Sequence, residues 1–312
     1  MTIARPRFDL QGHRGARGLW PENTLAGFSR TIALGVAAME FDCLATRDGV
    51  IVVTHDTQLN PDCTRDAQGR FLEGAGPPIL ALSCEELQRY DVGRLRPGSA
   101  YAARFPQQQP VDGEKIPRLT DVLNLIRTQG GGRVRASIEV KISPEKPGAT
   151  LAPEPFVRLL AEALRSTGME ALSNILCFDW RVLAAARTHL PQATIVASTD
   201  QQAGNDTVCL RAAVPSPWLG GLDPGRYEQS VPQLVKATGA GLWAPDYLDL
   251  TADLVREAQA LGLRVVPWTV NDPADMQRLI GFGVDGLISD RPDLLRQVLQ
   301  EQGLALPSPR SA

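Results

Sequence analysis

Short apolar runs recur along this chain, with stretches of helical periodicity between them. The runs fall near 8–12, 37–42, 135–141, 174–178, 193–198, 241–244, 264–269 and 285–289. Helical patterns occupy, among other places, 24–35, 119–129, 155–166, 180–188, 251–261 and 273–281. Strands separated by helices run parallel, because a parallel pair needs a long crossover. Eight such units in 312 residues predict an α/β fold of the TIM (β/α)8 barrel type. An open doubly wound sheet is the competing arrangement. It is weakened because no G-x-G-x-x-G follows the first strand.

One stretch interrupts the alternation. In LATRDGVIVVTHD, Asp48-Gly49 lies between two strand-like runs and signals a tight hairpin. Its second arm must be antiparallel, so 50–55 cannot be the next barrel strand. A two-residue turn between Arg47 and Val50 would set His55 opposite Asp42, and a bulge would shift this by one residue. Residues 57–115 then form an insertion after the second barrel strand, rich in glycine and proline. One helix is expected near 84–91, with Ser83 and Glu86 at capping-box spacing. Because it follows His55, the insertion is expected to cap the barrel mouth. Segments 1–56 and 116–300 make the barrel, 142–155 and the region around Trp218 are loops on the mouth side, and 303–312 reads as a loose tail.

Composition narrows the partners. The formal net charge is -3 with pI ≈ 5.7, which points away from nucleic acid. No run approaches the ~20 apolar residues of a membrane span, so stable membrane insertion is not expected. Five cysteines, an odd number without a C-x-x-C pair, argue against a zinc cluster or a disulfide framework. With no apolar leader in MTIARPRFDLQGHRG, the expected location is cytoplasmic. Oligomeric state leaves no mark in the sequence.

The chemistry concentrates at predicted strand ends. His13 ends the first strand and His55 ends the hairpin arm, where a barrel places its active site. Either ring can exchange a proton near neutral pH. His189 closes a helix and reads as structural. Glu40 and Asp42, two apart on a strand, share one face. Glu139 and Lys141 repeat that pattern on the next barrel strand. Three carboxylates facing an apolar interior need compensation. One divalent cation would supply it, Mg²⁺ or Ca²⁺ and less readily Mn²⁺. Internal ion pairs, Glu139 with Lys141 and Asp42 with Arg14, are the alternative. Arg14 and Lys141 could also hold a phosphate. Trp268 either stacks on a small substrate or plugs the barrel. Glu22 and Asn23 are expected to fix the His13 loop.

Taken together, GHRGARGLWPENTLAGF, EFDCLATRDGVIVVTHD, IEVK, PWTVN and GVDGLISDRP resemble the glycerophosphodiester phosphodiesterase family, over about residues 12 to 292. The resemblance implies a TIM barrel with an insertion after the HD motif. It also implies a phosphoric diester hydrolase that converts glycerophosphodiesters, such as glycerophosphocholine or glycerophosphoethanolamine, to glycerol 3-phosphate and an alcohol. By motif, the family's catalytic histidines match His13 and His55, and its metal carboxylates match Glu40, Asp42 and Glu139. Its phosphate contacts match Arg14 and Lys141, and its glycerol-side tryptophan matches Trp268. Where many members have Ser-Phe, this chain has Cys177-Phe178. The nucleophile, water or the substrate's glycerol hydroxyl, stays open, as does which histidine is acid and which base. A lysophospholipase D of the same fold and a non-catalytic phospho-ligand-binding barrel are the other readings.

Overall fold

A computed structural model describes residues 8–309. Its strands are β1 (Asp9–His13), β2 (Ala38–Ala45), β3 (Ile51–Val53), β4 (Arg135–Val140), β5 (Ser173–Cys177), β6 (Thr194–Thr199), β7 (Leu242–Pro245), β8 (Arg264–Val265) and β9 (Gly286–Ser289). Apart from β3, these strands are parallel and pair in chain order from β1 to β8, while β9 returns to β1. The seam between β8 and β9 is crossed by single backbone bonds. Asp285 N donates to Val265 O (2.9 Å), Ile288 N to Pro267 O (3.0 Å) and Val270 N to Ile288 O (3.0 Å). The result is a nearly closed eight-stranded barrel wrapped by helices.

Each strand expected from the sequence lies within a few residues of its place. The shortest is β8, where a run over 264–269 was expected. Pro267 has no N–H to continue the ladder, and the chain rejoins the sheet only at Trp268, beside Asp246. Helices at Val231–Ala237 and Pro292–Glu301 complete the units after β6 and β9.

Burial follows from having two covered faces. Every residue of β2 is buried. Met39, Phe41 and Cys43 pack outward into the main core between sheet and helices. Glu40 and Asp42 therefore point inward. Below them the barrel interior is filled by Leu176, Val196, Leu242, Ala244, Val266 and Ile288, with Trp268 against them. This apolar layer forms the base of a cavity that Leu176, Ile288 and Trp268 also line.

The hairpin register differs from the expected one. Thr46 and Val50 close a three-residue turn with Gly49 in the left-handed region (φ 76°), and Cys43 faces Val53. Thr54, not His55, therefore bonds Asp42 (2.9 Å). Sequence alone does not separate a two-residue from a three-residue turn around Asp-Gly.

Segment 57–115 carries short helices at Cys84–Leu87 and Ala100–Ala103. The first has the anticipated capping box, although it is shorter than expected. Leu59, Ile79, Cys84, Leu87 and Ile116 pack on Leu44 and Val52 in a small core apart from the main one. Residues 303–309 lack regular structure beyond the final helix turn, and Arg296 donates to Pro307 O (2.8 Å); residues 310–312 of the expected tail lie outside the described range. The five cysteines are unpaired. Among the described residues, no helix is long and apolar enough to cross a membrane.

Candidate active site

Parallel register assembles the acidic centre. β1 sets His13 beside Glu40, and β4 sets Glu139 beside Asp42. One oxygen from each of Glu40, Asp42 and Glu139 lies within 4.8 Å of the others. His13, His55, Arg14, Glu40, Glu139, Lys141 and Trp268 all line one cavity of about 870 Å³ at the C-terminal ends of the strands. Asp42 lies behind that wall, fully buried.

His13 is tightly positioned. Its Nδ1 lies 2.6 Å from Asp290 Oδ1, and its Nε2 lies 3.7 Å from Glu40 Oε2. Asp290 in turn accepts from Arg17 Nε (2.7 Å) and Asn271 Nδ2 (2.8 Å). The network assigns the proton to Nδ1 and leaves Nε2 as an acceptor. Burial, then the Arg17 and Arg14 charges, outweigh Asp290 and lower the His13 pKa to about 4. Burial alone would raise the Asp290 carboxyl, but His13 and Arg17 hold it well below the usual range.

The turn after His13 is left-handed at three consecutive residues: Arg14 (φ 50°), Gly15 (φ 72°) and Ala16 (φ 60°). At Gly15 a Cβ would come 2.8 Å from Phe28. Each non-glycine residue in this region costs about 1–3 kcal/mol. Asn23 N bonds Arg14 O (2.9 Å), Arg14 N bonds Glu40 Oε2 (3.1 Å), and Glu22 Oε1 accepts from Arg14 Nη1 (3.0 Å). Glu22 and Asn23 thus fix the loop, as expected, while Thr24 caps the following helix.

His55 has a parallel arrangement at the edge of the cavity. Its Nδ1 lies 2.6 Å from Asp56 Oδ1, and Asp56 is held by Asn60 Nδ2 (2.7 Å). The His55 side chain is 31 % exposed, against 9 % for His13.

Both ion pairs offered as the alternative to a metal are formed. Lys141 Nζ lies 2.6 Å from Glu139 Oε1, and Arg14 Nε lies 3.0 Å from Asp42 Oδ2, the latter without hydrogen-bond alignment. They do not satisfy the centre. Asp42 Oδ1 is buried with no hydrogen-bond partner. Glu40 is 2 % exposed, and among the described residues no lysine or arginine side chain pairs with it. Burial, then repulsion from Asp42 and Glu139, pushes the Glu40 carboxyl well above the usual range. Asp42 is held well below it, since Arg14, His55 and Lys141 outweigh burial. An orphaned carboxylate oxygen beside an uncompensated carboxyl fits a hard cation.

The remaining candidates divide. Trp268 packs on the barrel interior and lines the cavity, with Nε1 bonded to Ala244 O (2.8 Å). Phe178 meets it edge-on at 5.4 Å. Cys177, the departure from the family pattern, is buried beneath and bonds Val140 O (3.0 Å). Trp218 lines the cavity, whereas His189 pairs with Glu154 (2.6 Å) and does not line it. Asp290 escaped the sequence reading. Its signal was position: a polar residue directly after a barrel strand.

Comparison with known proteins identifies the family. The model of the glycerophosphoryl diester phosphodiesterase family matches residues 13–294. A curated glycerophosphodiester phosphodiesterase from Caldanaerobacter subterraneus is 28 % identical, over 93 % of this chain and 97 % of that protein. A solved protein from Silicibacter pomeroyi, provisionally named a glycerophosphoryl diester phosphodiesterase, shares 37 % identity at TM-score 0.84, over 96 % of this chain and 95 % of that one. A phosphodiesterase from Oleispira antarctica, solved with the product sn-glycerol-3-phosphate, shares the fold at 21 % identity and TM-score 0.67, over 95 % and 97 %. The chain belongs to the glycerophosphoryl diester phosphodiesterase family.

Proposed function

We propose that this enzyme hydrolyses glycerophosphodiesters to glycerol 3-phosphate and an alcohol, with His13 and His55 as its acid–base pair. The observation that carries the reading is the meeting, in one cavity, of two carboxylate-oriented histidines and three clustered carboxylates. The product bound to the Oleispira protein supports the glycerol phosphate half. Glu40, Asp42 and Glu139 would hold one divalent cation, Mg²⁺ or Ca²⁺ and less readily Mn²⁺. When bound, it supplies Lewis-acid polarisation of a phosphate oxygen.

The chain's own residues do the rest. Arg14 and Lys141 hold the phosphate and offset charge developing on its oxygens. His13 presents a bare Nε2 and takes the proton of the nucleophile, water or the substrate's glycerol hydroxyl. Asp290 keeps that ring in the required tautomer. His55, nearer solvent, returns a proton to the departing alcohol. Segment 57–115 caps the mouth in this scheme, and Arg104 of that segment lines the cavity. Five unpaired cysteines fit the cytoplasmic placement.

Choline release from glycerophosphocholine, followed with chelator and then with added Mg²⁺, Ca²⁺ or Mn²⁺, tests the proposal. Loss and metal-specific recovery are expected. Full turnover in excess chelator would overturn the metal assignment. Absence of product across a glycerophosphodiester panel would overturn the reaction.

A further inference from the structure

The helix Ala100–Ala103 of segment 57–115, and the turn after it, dock on the loop that follows β1. Ser99 caps the helix, its Oγ accepting from Ala102 N (3.0 Å). Gln108 Nε2 donates to Arg17 O (2.7 Å), and Gln109 N donates to Leu19 O (2.8 Å). The Arg17 guanidinium lies 4.8 Å from the centre of the buried Phe105 ring, and Tyr101 meets that ring edge-on at 5.3 Å. A ring face holds an arginine in place while leaving its charge free for other partners.

The Tyr101 hydroxyl is the polar centre of this contact. It donates to Glu22 Oε2 and accepts from Arg17 Nη1 (3.2 Å). A phenol has one proton to give and lone pairs to receive, so both bonds form at once. Burial, then Glu22, pushes the phenol well above its ordinary range, which keeps it a donor. Each partner leads on to the reacting groups. Glu22 Oε1 accepts from Arg14 Nη1 (3.0 Å) and so aims the guanidinium assigned to the phosphate. Arg17 Nε donates to Asp290 Oδ1 (2.7 Å), which lies 2.6 Å from His13 Nδ1. The bonded chain Arg14–Glu22–Tyr101–Arg17 thus links two like charges that would otherwise repel. Removing the hydroxyl takes a partner from a carboxylate and from a guanidinium in a water-poor site. Tyr101 itself does not line the cavity, so it acts through these neighbours.

We propose that Tyr101 is a positioning residue for the hydrolysis: its hydroxyl fixes Glu22 and Arg17, and through them Arg14 and the Asp290–His13 pair, so that turnover requires segment 57–115 to be docked. This rests on the hydrolytic reading above and adds a residue outside the motifs. Tyr101 lies 79 residues from Glu22 and 84 from Arg17, in the stretch PGSAYAARFPQQQP. Nothing in that composition marks it, and only the docked turn brings it to the β1 loop.

Tyr101→Phe tests this, because it keeps the ring on Phe105 and removes only the hydroxyl. In the full chain, kcat/KM for glycerophosphocholine should fall at least about tenfold, with the melting temperature near wild type. A double-mutant cycle with Glu22→Ala supplies a readout that a purely structural tyrosine would not move. With Glu22 gone the hydroxyl has less to position, so the effect of Tyr101→Phe should shrink by at least about threefold. A smaller loss in the single variant, or losses that simply multiply, would overturn the proposal. So would a loss that follows a fall in melting temperature and is recovered by cooling the assay. Calorimetric titration of sn-glycerol 3-phosphate in Mg²⁺ buffer separates this proposal from the hydrolytic reading. If the wild type hydrolyses no ester, that reading fails, but the wild type should still bind this ligand at least about tenfold tighter than Tyr101→Phe. Equal affinity, or binding by neither, would overturn the positioning role.

Discussion

The two ends of the barrel treat buried charge in opposite ways. At the N-terminal floor, Asp9 is 1 % exposed and grips two arginines, Arg135 (2.5 Å) and Arg264 (3.0 Å). They come from the first residues of β4 and β8, so one acid ties three strands together. At the mouth, Glu40 is equally buried but, among the described residues, pairs with no arginine or lysine, and Asp42 keeps an orphaned oxygen. Charge neutralised within the chain is architecture; charge left for something else to neutralise marks a site.

Mutation of the two ends should separate stability from turnover. His13→Ala and His55→Ala are each expected to lower kcat by at least about 10²-fold while the melting temperature stays near wild type. A substrate with a p-nitrophenolate leaving group should recover much of the loss in His55→Ala and little in His13→Ala. The reverse pattern would exchange the acid and base labels. Asp290→Asn should lower kcat by about 10–10²-fold, less than loss of the ring it orients. If it instead lowers stability and spares kcat, Asp290 belongs with the floor. Asp9→Ala should do the opposite of the histidine variants, removing about 1–3 kcal/mol in urea denaturation with kcat intact. The partial exposure of Arg135 and Arg264 keeps that figure modest.

The smallest expected effect is a pH dependence. The folded His13 pKa, about 4, lies below the ordinary 6.5. Folding therefore opposes its protonation, and the stabilising contribution is complete above pH 6.5 and lost as pH falls toward 4. Wild type should lose stability relative to His13→Ala as pH falls across that window. A gain of wild type over His13→Ala on acidification would mean that the Asp290 carboxylate, not burial, dominates His13.

Much of this was readable from residues alone. Strand–helix alternation located the eight barrel strands, because each is bounded by loop chemistry and buried on both faces. The Glu40/Asp42 and Glu139/Lys141 spacings located the acidic centre, because a strand alternates its faces. What escaped depended on three-dimensional detail. The turn at Asp48-Gly49 holds three residues, which moved Thr54 into the place expected for His55. Asp290 is 277 residues from His13 in the chain, and only barrel closure brings them together.

The small core under segment 57–115 has a consequence for inactivation. Val52 packs β3 on Leu59, Ile79 and Leu87, while Ile51 and Val53 on its other face join the large core. His55, the proposed proton donor, stands where the chain leaves the large core and enters the segment held by the smaller cluster. A satellite of this size opens more readily than the barrel. Heating should open segment 57–115 while most of the helices and strands persist, and amide exchange should reach Cys84–Leu87 before β5 and β6. The heat tolerance of that segment is then set by a handful of side chains outside the barrel's main core.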